Sequence, residues 1–137
     1  MLTPMAYSRP VVVTVAGGLT WLAGAIDIVT GILLLAQSGV SVVVLEFGGA
    51  VQLFVSAALA LLFGAILFFA GGGVLSGKDT ARIVATGAHG ISILSSLVPA
   101  LLLPTAFFGS WLGILASLVV IVLLWTKPAN VYFRDDD

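Results

Sequence analysis

Four long apolar stretches separated by short polar breaks organise the chain. The first, Val11 to Ala36, reads VVVTVAGGLTWLAGAIDIVTGILLLA. At about 1.5 Å per helical residue it exceeds the ~30 Å hydrocarbon core of a bilayer. It is also too long for the apolar region of a signal peptide, so it reads as a retained span. Gln37, Ser38 and Gly39 end it, and SVVVLEFGG from Ser41 reads as a loop that carries Glu46 and is capped by Gly48 and Gly49. The second span covers 49–70, the third 81–103 and the fourth 110–125. SGKDT separates the second from the third, with Asp79 as a natural N-cap. Pro99 is expected to kink the third span and Pro104 to end it. Residues 126–137 read as a polar tail.

Small residues recur within this pattern. Gly17, Gly24 and Gly31 fall one every two helical turns, and Asp27 shares their face. Ser56, Ala60 and Gly64 recur at four-residue spacing in the second span, Ala81, Ala85 and His89 in the third, and Gly109, Gly113 and Ser117 in the fourth. Such stripes let membrane helices approach closely. The expected fold is all-α: an integral membrane, antiparallel four-helix bundle forming one domain.

Composition narrows the class further. Of 137 residues 61% are hydrophobic and only 8% charged, and the mean hydropathy is +1.26. Too little polar surface remains to face water on every side. A net charge of −1 offers no basic patch for nucleic acid. The absence of cysteine excludes disulfides, thiolate metal sites and thiol nucleophiles. Arg9, Lys78, Arg82, Lys127 and Arg134 all flank the same side of the predicted spans. By the positive-inside rule both termini are cytoplasmic, with Trp125 and Tyr132 in the inner interface belt and Trp111 in the outer one.

Few residues here are suited to chemistry. An acid in mid-span costs roughly 2.5–3.5 kcal/mol, which makes Asp27 the first candidate. Counted from Val11 it lies about 24 Å in. Depth-matching surrounds it with Ser56, Ser95 or Ser96, and Ser117, with Gln52 a turn further out. Two readings stand: a proton- or cation-binding site, or a neutral carboxylic acid tying helices together by hydrogen bonds. The single histidine, His89, lies about 14 Å from Asp27 in depth on the same count, too far for a serine–histidine–aspartate triad. It reads as a helix contact, or as a ligand to a heme or quinone held with a partner chain. Asp135, Asp136 and Asp137 read as a solvated tail without fixed geometry for a metal. No catalytic, cofactor-binding or metal-binding set emerges.

YSRPVVVTVAGGLTWLAG at the start, ARIV opening the third span and LLWTKPANVYFR near the end together resemble a group of small four-span membrane proteins of actinobacteria. The resemblance implies the bacterial plasma membrane and no established catalytic activity or cofactor. The expected role is a non-catalytic accessory subunit, packed among lipid and other integral membrane subunits of a larger respiratory or envelope-biogenesis complex. The alternative is a small homo-oligomeric transporter or channel subunit built on Asp27.

Overall fold

The computed structural model describes residues 8–102 and 107–134, so Pro104 and the terminal aspartates lie outside the described residues. Six helices are present among the described residues: α1 (Val11–Ala36), α2 (Ser41–Glu46), α3 (Ala50–Leu75), α4 (Asp79–Leu102), α5 (Phe107–Leu124) and α6 (Lys127–Arg134). No strand occurs among the described residues. Among the described residues three helices are long and apolar enough to cross a membrane, and up to four if α5 is joined with α6, which bends from it by 58°. The chain is thus a multi-pass membrane protein. Large apolar side chains cover its outer surface, among them Val29, Leu62, Leu94 and Leu112, each more than half exposed.

The four long helices form a closed ring, α1 beside α3 and α5, and α4 beside α3 and α5. The most extensive pairing is α1 with α3, and glycine explains it. A Cβ built on Gly24 would collide with the Phe68 backbone nitrogen and fall 2.6 Å from the Gly64 carbonyl oxygen. Gly17 meets Leu75 and Gly31 meets Leu61, while Gly71 receives the Trp21 backbone. The α3 face that answers α1 is Ala57, Gly64 and Gly71, all buried, rather than Ser56, Ala60 and Gly64. Its seven-residue spacing matches that of Gly17, Gly24 and Gly31, the repeat that keeps two packed helices in register. On α5 the expected stripe is also corrected. Gly109 and Gly113 face open space, and the buried residues are Ile114, Ser117, Val120 and Leu124.

Two expected non-helical segments are helical. Residues Ser41–Glu46 form a short exposed helix instead of a loop. β-Branched residues lose only tenths of a kcal/mol in a helix, less than leaving backbone groups unpaired beside lipid. Gly48, with φ 85°, closes it: the Gly49 N–H reaches the Val44 carbonyl and the Gly48 N–H reaches that of Leu45. The same closure ends α3 five residues beyond the expected Ala70, with Gly77 at φ 81° and Lys78 N–H donating to Gly73 O. Asp79 is then the first residue of α4, not its cap, and α4 runs on through Pro99.

The expected polar tail is also helical. Residues Lys127–Arg134 form α6, whose Ala129 and Phe133 are buried against the bundle. Pro128 has no N–H to continue α5, so the chain bends, and the Asn130 side-chain amide donates to the stranded Trp125 carbonyl at 3.3 Å. Phe133 joins Val13, Ala16, Val74, Ala85, Val120 and Leu124 in the main apolar core. That core lies at one end of the ring, the end that also carries Lys78, Arg82, Lys127 and Arg134.

Candidate functional site

His89 joins three helices. Its Nε2 lies 3.1 Å from Thr20 Oγ1 on α1, and its Nδ1 lies 3.2 Å from Ser117 Oγ on α5. The Thr20 hydroxyl donates its one proton to the Ala16 carbonyl at 2.8 Å, so toward the imidazole it can only accept. His89 therefore carries a proton on Nε2, and as a neutral ring it accepts at Nδ1 from Ser117. Every polar atom in this relay is satisfied by a neutral ring, and Thr20, His89 and Ser117 are all buried. Both ring nitrogens are occupied by structural partners. Thr20 was not among the residues singled out from the sequence. Its one signal is its place beside the Gly17–Gly24 stripe, seven residues before Asp27.

Asp27 lies two turns beyond Thr20 along α1, about 10 Å at the helical rise. The expected 14 Å separation from His89 is shortened because His89 sits level with Thr20. The two side chains do not bond, yet they line one cleft of about 340 Å³ between α1, α4 and α5, together with Ser92, Ser96, Gly113 and Ser117. A second cleft, of about 400 Å³ between α3 and α4, is lined by Asp27, Phe63, Ser92, Ser95 and Ser96. Asp27 thus stands where two clefts meet. Among the described residues it makes no hydrogen bond or ion pair, and neither do the Ser92 and Ser96 hydroxyls. Its backbone is fixed from behind: a Cβ on Gly64 would touch the Asp27 Cβ at 2.9 Å.

That contact also sets the level of α3. Ser56 lies two turns beyond Gly64, about 12 Å further along, and Gln52 a turn further still and exposed. Neither lines either of these two clefts. An end at Ala70 would bring both near Asp27 in depth, and the five further helical residues at that end move them about 7.5 Å away. Ser95 and Ser96 do line the site; Ser117 lines it from the His89 level. Ser92, one turn from both His89 and Ser96, was missed.

A different cluster occupies the core end of the bundle. The Arg82 guanidinium stacks on the Trp125 ring, 3.9 Å from its centroid, and lies 5.1 Å from that of Phe133. Its Nη1 donates to Asn130 Oδ1 at 3.0 Å, and its Nε lies 3.3 Å from the Asp79 carboxylate, an ion pair without hydrogen-bond alignment. Trp125 Nε1 donates to Thr86, and the Tyr132 hydroxyl donates to the Leu75 carbonyl. Arg9 is exposed before α1. No group of three or more potential metal-ligating side chains occurs among the described residues.

Residues 12–129 match the family described as Domain of unknown function (DUF7144), and the chain belongs to that family. No curated protein and no solved structure matches it.

Proposed function

From membership in a family of unknown function, we propose that this is a small non-catalytic protein of the bacterial plasma membrane, with both termini cytoplasmic, that handles a proton or cation at Asp27. The observation that carries this reading is the unpaired Asp27 carboxyl at the junction of two clefts. A carboxyl inside the span is expensive unless something answers it. Among the described residues no side chain does, and Ser92 and Ser96 leave two further hydroxyls free to help coordinate an occupant. Asp27 is then the binding group, the serines are auxiliary ligands, and the α1–α3 pair is the rigid wall behind them. The orientation follows from the basic residues gathered at one end of the bundle. In this reading the protein works alone or as copies of itself.

A second reading has one observation in its favour. Gly109, exposed on α5, has open space where a neighbouring helix would fit, whereas Gly113 opens on the cleft that Asp27 lines. That favours an accessory subunit seated against another integral membrane chain. One purification separates the two. The tagged protein is extracted gently from its own membranes, and whatever travels with it is identified. Recovery alone or with copies of itself supports the Asp27 reading, which proteoliposome flux of protons or monovalent cations then tests, with Asp27→Asn as the inactive control. A stoichiometric set of larger membrane subunits supports the accessory role, and flux that survives Asp27→Asn removes the transport reading.

A further inference from the structure

At the core end of the bundle α6, the end of α5 and the start of α4 enclose a cleft of about 630 Å³. Its charged lining is Arg82, Lys127 and Arg134 against one acid, Asp79, which is already paired with Arg82. Two positive charges remain without an ion-pair partner among the described residues. Arg82 is held as a receptor rather than as a mobile surface charge. Its plane is clamped on Trp125, its Nη1 is bound to Asn130 and its Nε faces Asp79. The remaining nitrogen, Nη2, makes no hydrogen bond among the described residues and is not among the buried unsatisfied atoms, so it keeps some exposure, and Arg82 lines the cleft. A preorganised guanidinium edge flanked by two further cations matches a phosphate group, which accepts several such bonds at once.

The apolar rim indicates where that phosphate comes from. Trp125 and Val131 on the cleft wall are about half exposed, and α6 turns off α5 by 58° where the chain leaves the apolar spans. An indole and a valine beside a cationic cleft at that level suit a molecule with acyl chains below its headgroup. We infer that this cleft binds the phosphate of an anionic phospholipid headgroup, with Arg82 Nη2, Lys127 and Arg134 as its donors. The site lies at the opposite end of α4 from Ser92 and Ser96 and does not depend on the role of Asp27.

The test uses the full chain, delipidated in detergent, with phosphatidylglycerol and phosphatidylcholine of matched acyl chains as probes and native mass spectrometry as the readout. The wild type should prefer phosphatidylglycerol at least about fivefold, the effect of one cation near a headgroup. Lys127→Gln with Arg134→Gln, both at exposed positions, should lower phosphatidylglycerol affinity about 25-fold and abolish its preference over phosphatidylcholine, whose phosphate is already balanced by its own choline cation. Equal retention of the two lipids by the wild type, or an unchanged preference in the double variant, would overturn the assignment. Displacement of phosphatidylglycerol by millimolar inorganic phosphate would make free phosphate the occupant and overturn the lipid source. Replacing Asp135, Asp136 and Asp137 by Asn removes opposing charge beside Arg134 and should leave binding equal or tighter. Loss of binding in that variant would put the lipid on the chain end instead.

Discussion

Gly24 and Gly64 lie backbone to backbone: a Cβ on the first would fall 2.6 Å from the second's carbonyl oxygen, and a Cβ on the second 2.8 Å from the first's. The obstructing atoms belong to rigid helices, so no rotamer change relieves the contact. Gly24→Ala or Gly64→Ala should therefore destabilise the bundle by ~1–3 kcal/mol, the range for overpacking. Gly113→Ala meets nothing within 4 Å and supplies the control. It should be neutral or stabilising by up to ~1 kcal/mol, because alanine is the better helix former. Unfolding in mixed micelles titrated with SDS checks both; equal stability of all three variants would contradict the close approach of α1 and α3.

The His89 relay predicts a modest energy and a definite tautomer. Interhelical hydrogen bonds within membranes average about 0.6 kcal/mol, with an upper value near 1.7. Thr20→Val leaves the Nε2 proton of a buried ring without an acceptor, adding a desolvation penalty of about 1–3 kcal/mol. The double variant Thr20→Val with His89→Phe should recover part of that loss, since it removes the stranded donor as well. Nitrogen NMR of the ring should find one neutral form, protonated at Nε2. A ring protonated at Nδ1, or a double variant as unstable as the sum of the singles, would contradict the relay.

How much of this was legible in the sequence differs from one element to the next. α1 was readable to its ends because nothing within Val11 to Ala36 competes with the apolar run, and its glycine stripe was readable because three glycines share one seven-residue spacing. On α3 two spacings compete. Ser56–Ala60–Gly64 steps by four and Ala57–Gly64–Gly71 by seven, and only the α1 partner decides between them. The α3 end was misplaced because three consecutive glycines look like a break, although in a membrane helix packed on a neighbour they need not be one. α6 was missed because eight residues are too few to establish a period; Pro128 near its start and Ala129 and Phe133 one turn apart were the available signals. Thr20, His89 and Ser117 come from three separate spans, and no spacing within one span reveals a meeting across three.

The Arg82 clamp should hold α6 in place. Arg82→Lys keeps the charge and loses both the flat stacking surface on Trp125 and the fixed fork that reaches Asn130. The expected loss is about 1–2 kcal/mol, combining a cation–π contact with a charge-assisted hydrogen bond. Because these contacts join α6 to α4, the effect should be local. Protease accessibility should rise around Thr126 to Arg134, and Trp125 fluorescence should shift, while the α1–α3 pair keeps its stability. Unchanged protection of α6 would mean that Phe133 and Ala129 alone secure it.

Asp27 separates a structural acid from a working one, because the two roles predict opposite stabilities. An acid that locks helices by hydrogen bonds would lose stability on replacement by asparagine or leucine. In this structure Asp27 has no side-chain partner among the described residues, and its clefts have room. Asp27→Asn should therefore leave SDS-titration stability within about 0.5 kcal/mol of wild type, as for a substitution that breaks no contact. Asp27→Leu should equal or exceed wild type, since it relieves an unpaired polar group beside apolar walls. If the proposed role is right, both variants lose proton- or cation-linked flux while staying folded. A marked stability loss in Asp27→Asn, with Asp27→Leu worse still, would return the carboxyl to a helix-locking role and remove the main support for transport.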